Sequence, residues 1–284
     1  MRPLALAGFD VYAPDMRGYG DTKFMNKAQL IHEDFSLQAA CEDLIALMDA
    51  LLLPQAVLVG HDWGGTHVWN TTLHFPWRVL AVASFCTPYF PPNPKENPWT
   101  KMLAKPGRFD YQLYFQEERA VQELDRDPGF TVRCMIRAVT DPVTAAIMSL
   151  VAPREAGGIL VGNSPDIAPS SILSSADLKI YTRQFSTSSF RGGIYFYRNV
   201  ERNWVWNNKQ AGRRITQPSL MVTAELDAIL TPSMTKGMHQ HLSNLVIKNV
   251  LGVGHWLLQE KPDECASTLV EWLTQRALLP LANL

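Results

Sequence analysis

Gly60-His61-Asp62-Trp63-Gly64-Gly65 follows directly on the apolar run Ala56-Val57-Leu58-Val59. The run reads as a buried strand, and the glycines read as a tight turn into a helix. This is the layout of a nucleophile elbow, with aspartate where the G-x-S-x-G form carries serine. Glycines two before and two after the central residue let strand and helix crowd together. The central side chain is then forced out at the carboxyl end of the sheet. A carboxylate is ionised at neutral pH, so Asp62 needs no base before it attacks. Its adduct with a saturated carbon is an ester, which water can cleave, whereas serine would give an ether with no carbonyl to hydrolyse. The stretch predicts displacement at saturated carbon followed by hydrolysis.

On the N-terminal side, Phe9-Asp10-Val11-Tyr12-Ala13-Pro14 reads as a strand, ended by Pro14 and the turn Arg17-Gly18-Tyr19-Gly20-Asp21. Leu37, Leu44, Leu47, Met48, Leu51 and Leu52 recur at helical spacing, and Pro54 ends that helix. After the elbow come a helix from about Gly65 to Leu73 and a strand at 79–85. Strands alternating with helices predict a parallel α/β sheet. Pro88, Pro91, Pro92, Pro94 and Pro98 then interrupt it, because a sheet strand cannot run through them. Residues 90–214 are mostly helical in pattern. Sheet pattern resumes at Pro218-Ser219-Leu220-Met221-Val222-Thr223, returns at 245–253, and closes with an amphipathic helix over 262–276. The expected organisation is an α/β core made of 1–89 and 215–284, with 90–214 inserted as a helical lid.

Composition narrows the class. The chain has 284 residues, 46% hydrophobic and 19% charged, which is globular rather than disordered. A net charge of -1 gives no reason to expect nucleic acid or an anionic membrane as partner. Cys41, Cys86, Cys134 and Cys265 are scattered with no C-x-x-C pair, and read as reduced thiols of a cytoplasmic protein. No signal-peptide order, bilayer-length apolar run or C-terminal S-K-L is present in the sequence.

Two later segments complete a triad. Leu220-Met221-Val222-Thr223-Ala224-Glu225-Leu226-Asp227 is a strand ending in a loop acid, with Glu225 as the rival acid. Leu251-Gly252-Val253-Gly254-His255-Trp256 is a strand ending in a glycine-flanked histidine. Nucleophile, acid and histidine come in the order used on open α/β sheets, each at the carboxyl end of a strand. In this reading Asp62 attacks, His255 takes a proton from water, and Asp227 fixes the His255 tautomer and supports the imidazolium. His61 reads equally as a hydrogen-bonding neighbour of the site or as packing. His239-x-His241 lacks a third ligand, so a solvated helix face is the better reading and no metal or cofactor is expected.

Over nearly its whole length the chain resembles the soluble epoxide hydrolases of the α/β-hydrolase fold, specifically the hydrolase domain of the animal soluble enzyme. The carrying segments are Gly60 to Gly65; Ala81-Val82-Ala83-Ser84 with Thr87-Pro88; Phe109-Asp110-Tyr111-Gln112-Leu113-Tyr114-Phe115-Gln116; Tyr197-Arg198-Asn199 with Glu201-Arg202-Asn203-Trp204; Leu220 to Asp227; and Gly254-His255-Trp256. The resemblance implies two lid tyrosines that hold and protonate the epoxide oxygen, matched by Tyr111 and Tyr197. The residues alone do not choose Tyr111 over Tyr114, or Tyr197 over Tyr195. It further implies an oxyanion donor at the Trp63 N–H and substrate contacts from Gln112 and Trp256. The implied substrates are fatty-acid or xenobiotic epoxides. Phe109, Phe115, Phe185, Phe190 and Phe196 would give the lid an apolar wall suited to a lipophilic epoxide. The expected partners are the epoxide and water, and a homodimer is compatible with the family.

The family also carries an H-G-x-P loop whose x residue supplies a second oxyanion donor, and nothing like it precedes Asp62. Residues 1–8 resemble the tail of the helix that follows that loop, so an N-terminally truncated fold lacking the first three strands is expected. Residues 9–13 and the elbow strand would then stand about 9–10 Å apart, two strand spacings, unless they close up and pair. Two rival readings are haloalkane dehalogenase, which expels halide and needs no acidic tyrosines, and a catalytically dead hydrolase-like protein.

Overall fold

The computed structural model describes residues 1–22, 31–141 and 152–276. Its described sheet has four parallel strands in the order β1-β2-β3-β4: β1 (Ala56–His61), β2 (Val79–Phe85), β3 (Ser219–Ala224) and β4 (Leu245–Val250). The helix Trp63–His74 connects β1 to β2, as a parallel pair requires. Register places Gly60 beside Ser84 and His61 beside Phe85, while Val82 to Phe85 pair with Ser219 to Val222. Residues 86–218 join β2 to β3 and contain the long helical region.

Two compact units divide the chain. The first is Met1–Pro14, Met48–Phe90 and Arg214–Leu284; the second is Asp15–Leu47 and Pro91–Arg213. In the first unit Ala81, Ala83 and Phe85 of β2 and Leu220, Val222 and Ala224 of β3 alternate onto one face. They meet Cys265, Leu269, Trp272 and Leu273, spaced at helical intervals on the helix Pro262–Gln275. Each fully buried leucine of this layer is worth about 1.5–3 kcal/mol relative to exposure.

Residues 9–14, expected as a strand, form none. Among the described residues no strand pairs with the outer edge of β1, and residues 9–14 do not add to it. Phe9 instead turns back, its N–H on the Leu4 carbonyl, and packs on the core. The two segments therefore do not close up and pair. The consequence shows in β1, whose Val59 is 44% exposed while β2 is almost wholly buried. The last strand ends at Val250, short of the expected 253, because Leu251 and Gly252 turn, with Gly252 at φ 67°.

Asp15–Leu47 groups with the second unit, although it precedes the elbow in sequence. Gly18 and Gly192 explain part of this. A Cβ on Gly192 would lie 2.6 Å from the Gly18 Cα, so the two main chains touch. Phe35 packs edge-on to Tyr195 and Phe196, and the Asn203 side chain accepts from the Leu37 N–H at 2.7 Å.

Candidate active site

Asp62 sits at the turn between β1 and the helix Trp63–His74, at φ 53° and ψ -120°. Few residues with a Cβ adopt positive φ, and the turn is held from several sides. A Cβ on Gly60 would come within 2.1 Å of the Gly64 carbonyl oxygen, and one on Gly65 within 2.4 Å of Ser84 Oγ. At Gly64 a Cβ would meet nothing within 4 Å, so Gly60 and Gly65 carry the crowding that the motif spacing assigned to Gly60 and Gly64. Thr87 fastens the turn: its hydroxyl donates to the Asp62 carbonyl at 2.7 Å. The Thr87 carbonyl in turn accepts from Trp69 Nε1 and Ser84 Oγ. Trp63 opens the helix, where main-chain N–H groups lack intrahelical acceptors and face the nucleophile end.

The triad members come together. Asp227 accepts from His255 Nδ1 at 2.8 Å, and His255 Nε2 stands 3.5 Å from Asp62 Oδ2. The Asp227 side chain is fully buried, and its second oxygen accepts the N–H groups of Ile229 and Leu230, both at 2.9 Å. Burial pushes its pKa up, but the hydrogen bond and charge of His255 with the two N–H groups outweigh that, leaving it below the usual carboxylate range. For His255 burial pulls the pKa down, and the hydrogen bond to Asp227 with the charges of Asp62 and Asp227 carries it above the ordinary value. Glu225, the rival acid, instead accepts the Gly252 N–H at 2.7 Å. Trp256 stacks obliquely against His61 and meets His255 edge-on.

In the second unit Tyr111 and Tyr197 meet edge to face, ring centroids 5.6 Å apart. Phe115 packs against both rings. Gln112 Nε2 donates to the Tyr111 hydroxyl at 3.2 Å, and Gln116 Nε2 donates to the Tyr197 carbonyl at 3.0 Å. The alternatives are engaged elsewhere. Tyr114 is buried and donates to Glu123, while the Tyr195 hydroxyl accepts from Arg191. Of the phenylalanines expected in an apolar wall, Phe196 is buried against Phe35, and Phe185 stacks on Phe190 at 4.0 Å.

Comparison with known proteins gives the family. The family model described as the α/β-hydrolase fold matches residues 1–262. Epoxide hydrolase A of Mycobacterium tuberculosis is 37% identical over 95% of this chain and 84% of its own length. The crystal structure of epoxide hydrolase A from Mycobacterium thermoresistibile superposes with a TM-score of 0.85 at 32% identity, covering 96% of this chain and 85% of that one. This chain belongs to the epoxide hydrolases of the α/β-hydrolase fold. Bifunctional epoxide hydrolase 2 of Sus scrofa is 41% identical over 99% of the chain, which spans about half, 49%, of that relative's length.

Two further side chains lie beside Asp62, Asp227 and His255: His61, for which the sequence left a hydrogen-bonding and a packing role equally open, and Cys86. His61 Nε2 lies 2.8 Å from the His255 carbonyl oxygen. Cys86, one of the four thiols that the sequence reads as reduced, follows β2 directly and points its Sγ at the same oxygen, 3.4 Å away. A non-glycine residue directly after a strand end was the available signal for Cys86, but its φ of 64° was not legible. The ligand atoms of His61, Cys86 and His255 lie within 4.8 Å of one another, and His239 and His241 are outside that group.

Proposed function

We propose that the chain converts lipophilic epoxides, of lipid or xenobiotic origin, to vicinal diols through a covalent ester on Asp62. The observation that carries this is an aspartate at the elbow with a carboxylate-backed imidazole nitrogen 3.5 Å away. The names of its relatives support the same reaction. An Asp62 oxygen attacks an epoxide carbon, the ring C–O bond breaks, and Tyr111 or Tyr197 gives its proton to the departing oxygen. General acid help of this kind is worth roughly 10²–10⁴ in rate. His255 Nε2 then removes a proton from water, and the hydroxide adds to the Asp62 carbonyl carbon. The Trp63 N–H faces the oxyanion that forms. Collapse breaks the ester C–O bond, His255 protonates the leaving diol oxygen, and the proton on the regenerated Asp62 carboxyl returns through solvent to the tyrosinate. Gln112 and Trp256 would contact the substrate.

The four cysteines are free and buried, which suits a reducing cytoplasm, and hydrolysis of xenobiotic epoxides would be a detoxification. Among the described residues no helix is long and apolar enough to cross a membrane. The decisive assay offers the full chain a lipophilic epoxide and a haloalkane of matched size. Diol formation without halide release is expected. Halide release without diol would establish the dehalogenase reading, and neither product would establish the inactive one.

A further inference from the structure

We propose that His61 and Cys86 are positioning residues that jointly clamp the main-chain carbonyl of His255, holding the general base in place for ester hydrolysis. The inference rests on the epoxide-hydrolase reading above. Each of the four parallel strands delivers one chemically active side chain just beyond its carboxyl end. Three are the triad members after β1, β3 and β4; the fourth is Cys86, directly after β2. Cys86 is fully buried and held at φ 64°, an unfavourable conformation for a residue with a Cβ.

A carbonyl oxygen only accepts, and it has two lone pairs. The 2.8 Å contact therefore fixes the proton of His61 on Nε2, and the 3.4 Å contact makes the Cys86 thiol the second donor. Both groups stay donors at neutral pH. Burial, then the nearby His255, brings the His61 pKa down to about 4, so it is neutral and does not oppose the imidazolium forming on its neighbour. Burial, then the charge of Asp227, pushes the Cys86 thiol up. The side chains of the His–Cys–His cluster are thus engaged with one another's surroundings: His61 Nε2 donates to the His255 carbonyl, the Cys86 thiol lies against that same oxygen and the Asp227 carboxylate, and His255 Nδ1 donates to Asp227. The adjoining N–H groups are held as well: Gly252 donates to Glu225 and Gly254 to Glu260, at 2.7 and 2.9 Å.

The step affected follows from the chemistry. Attack by Asp62 does not need His255 as a base, whereas cleavage of the ester does. A base displaced by about 1 Å costs about 10²-fold in rate. His61→Leu and Cys86→Ala should therefore slow release and spare alkylation. The test is steady-state kinetics with a lipophilic epoxide, with intact-mass analysis of the enzyme during turnover. In His61→Leu, kcat and KM are expected to fall together by roughly 10–100-fold, with kcat/KM nearly unchanged and an alkyl adduct accumulating. His61→Gln, which restores an N–H at the same reach, should return kcat toward the wild type, as should Cys86→Ser relative to Cys86→Ala. A parallel loss of kcat and kcat/KM without adduct, or folded Gln and Ser variants that fail to rescue, would overturn the clamp.

If the wild-type chain forms neither diol nor adduct, the hydrolase reading fails, and proton NMR titration of the His255 ring decides the clamp on its own. The groups facing that ring are Asp62, Asp227, His61, Cys86 and Glu260. The clamp predicts a midpoint above that of free histidine that drops by about half a unit or more in Cys86→Ala, as the Asp227 hydrogen bond loosens. An unchanged midpoint would refute it.

Discussion

The charged groups of the first unit are held by main-chain atoms, whereas the tyrosines of the second are held by one another's rings. Asp227 takes two backbone N–H groups and one imidazole, and the His255 carbonyl receives two donors. Tyr111 and Tyr197 rest edge to face with Phe115 beside both, and the neutral amide of Gln112 donates to the Tyr111 hydroxyl. A fixed ionic relay suits proton transfer from water, where base and ester must keep one geometry. A neutral aromatic pair suits a donor that gives up a proton only once, as the ring opens. The two regions should therefore fail at different steps.

The largest break comes from removing the nucleophile. Asp62→Ala should abolish adduct formation and cut turnover by about 10⁴-fold or more, read by diol assay and intact mass. His255→Gln should leave alkylation intact and stop release, so that the enzyme becomes stoichiometrically alkylated while kcat falls about 10³–10⁴-fold. The double change Tyr111→Phe with Tyr197→Phe should do the reverse. Ring opening slows by roughly 10²–10⁴-fold and no adduct accumulates, because the slow step now precedes it. An adduct trapped in the double phenylalanine variant would erase the distinction between the regions.

The elbow and triad were legible because their chemistry is tied to chain order. Asp62, Asp227 and His255 each follow an apolar run that can only be a strand, and parallel strands bring their carboxyl ends together. The sequence assigned the acid to Asp227 but left Glu225 as a rival. Both lie in one loop, and a three-dimensional turn sends Glu225 to the Gly252 N–H. Residues 9–14 read as a strand but form none, and pairing is not written in the segment itself. Likewise Gly18 and Gly192 meet across the sequence, so the grouping of Asp15–Leu47 with the second unit rests on a contact that no local pattern announces.

Smaller effects sharpen the electrostatic side of the comparison. The folded His61 pKa lies near 4 and its unfolded value near 6.5. Between those values the unfolded chain binds the extra proton. His61 therefore contributes fully above pH 6.5, and stability falls as pH drops toward 4, by about 3 kcal/mol at most. His255, with a raised folded pKa, contributes in the opposite sense, its share being lost as pH rises through that value. Denaturant melts of wild type and His61→Gln across this range should differ in acid slope, and equal slopes would contradict the assignment. Thr87→Val, which removes the hydroxyl on the Asp62 carbonyl, should cost about 1–2 kcal/mol in the same melts.

The covalent Asp62 ester is the centre of the account, and a single turnover in water enriched in heavy oxygen tests it most directly. With enzyme in excess over a lipophilic epoxide, the diol should carry no heavy oxygen, and the peptide containing Asp62 should gain one. Heavy oxygen in the first-turnover diol, with Asp62 unlabelled, would mean that water attacks the epoxide directly and would contradict it.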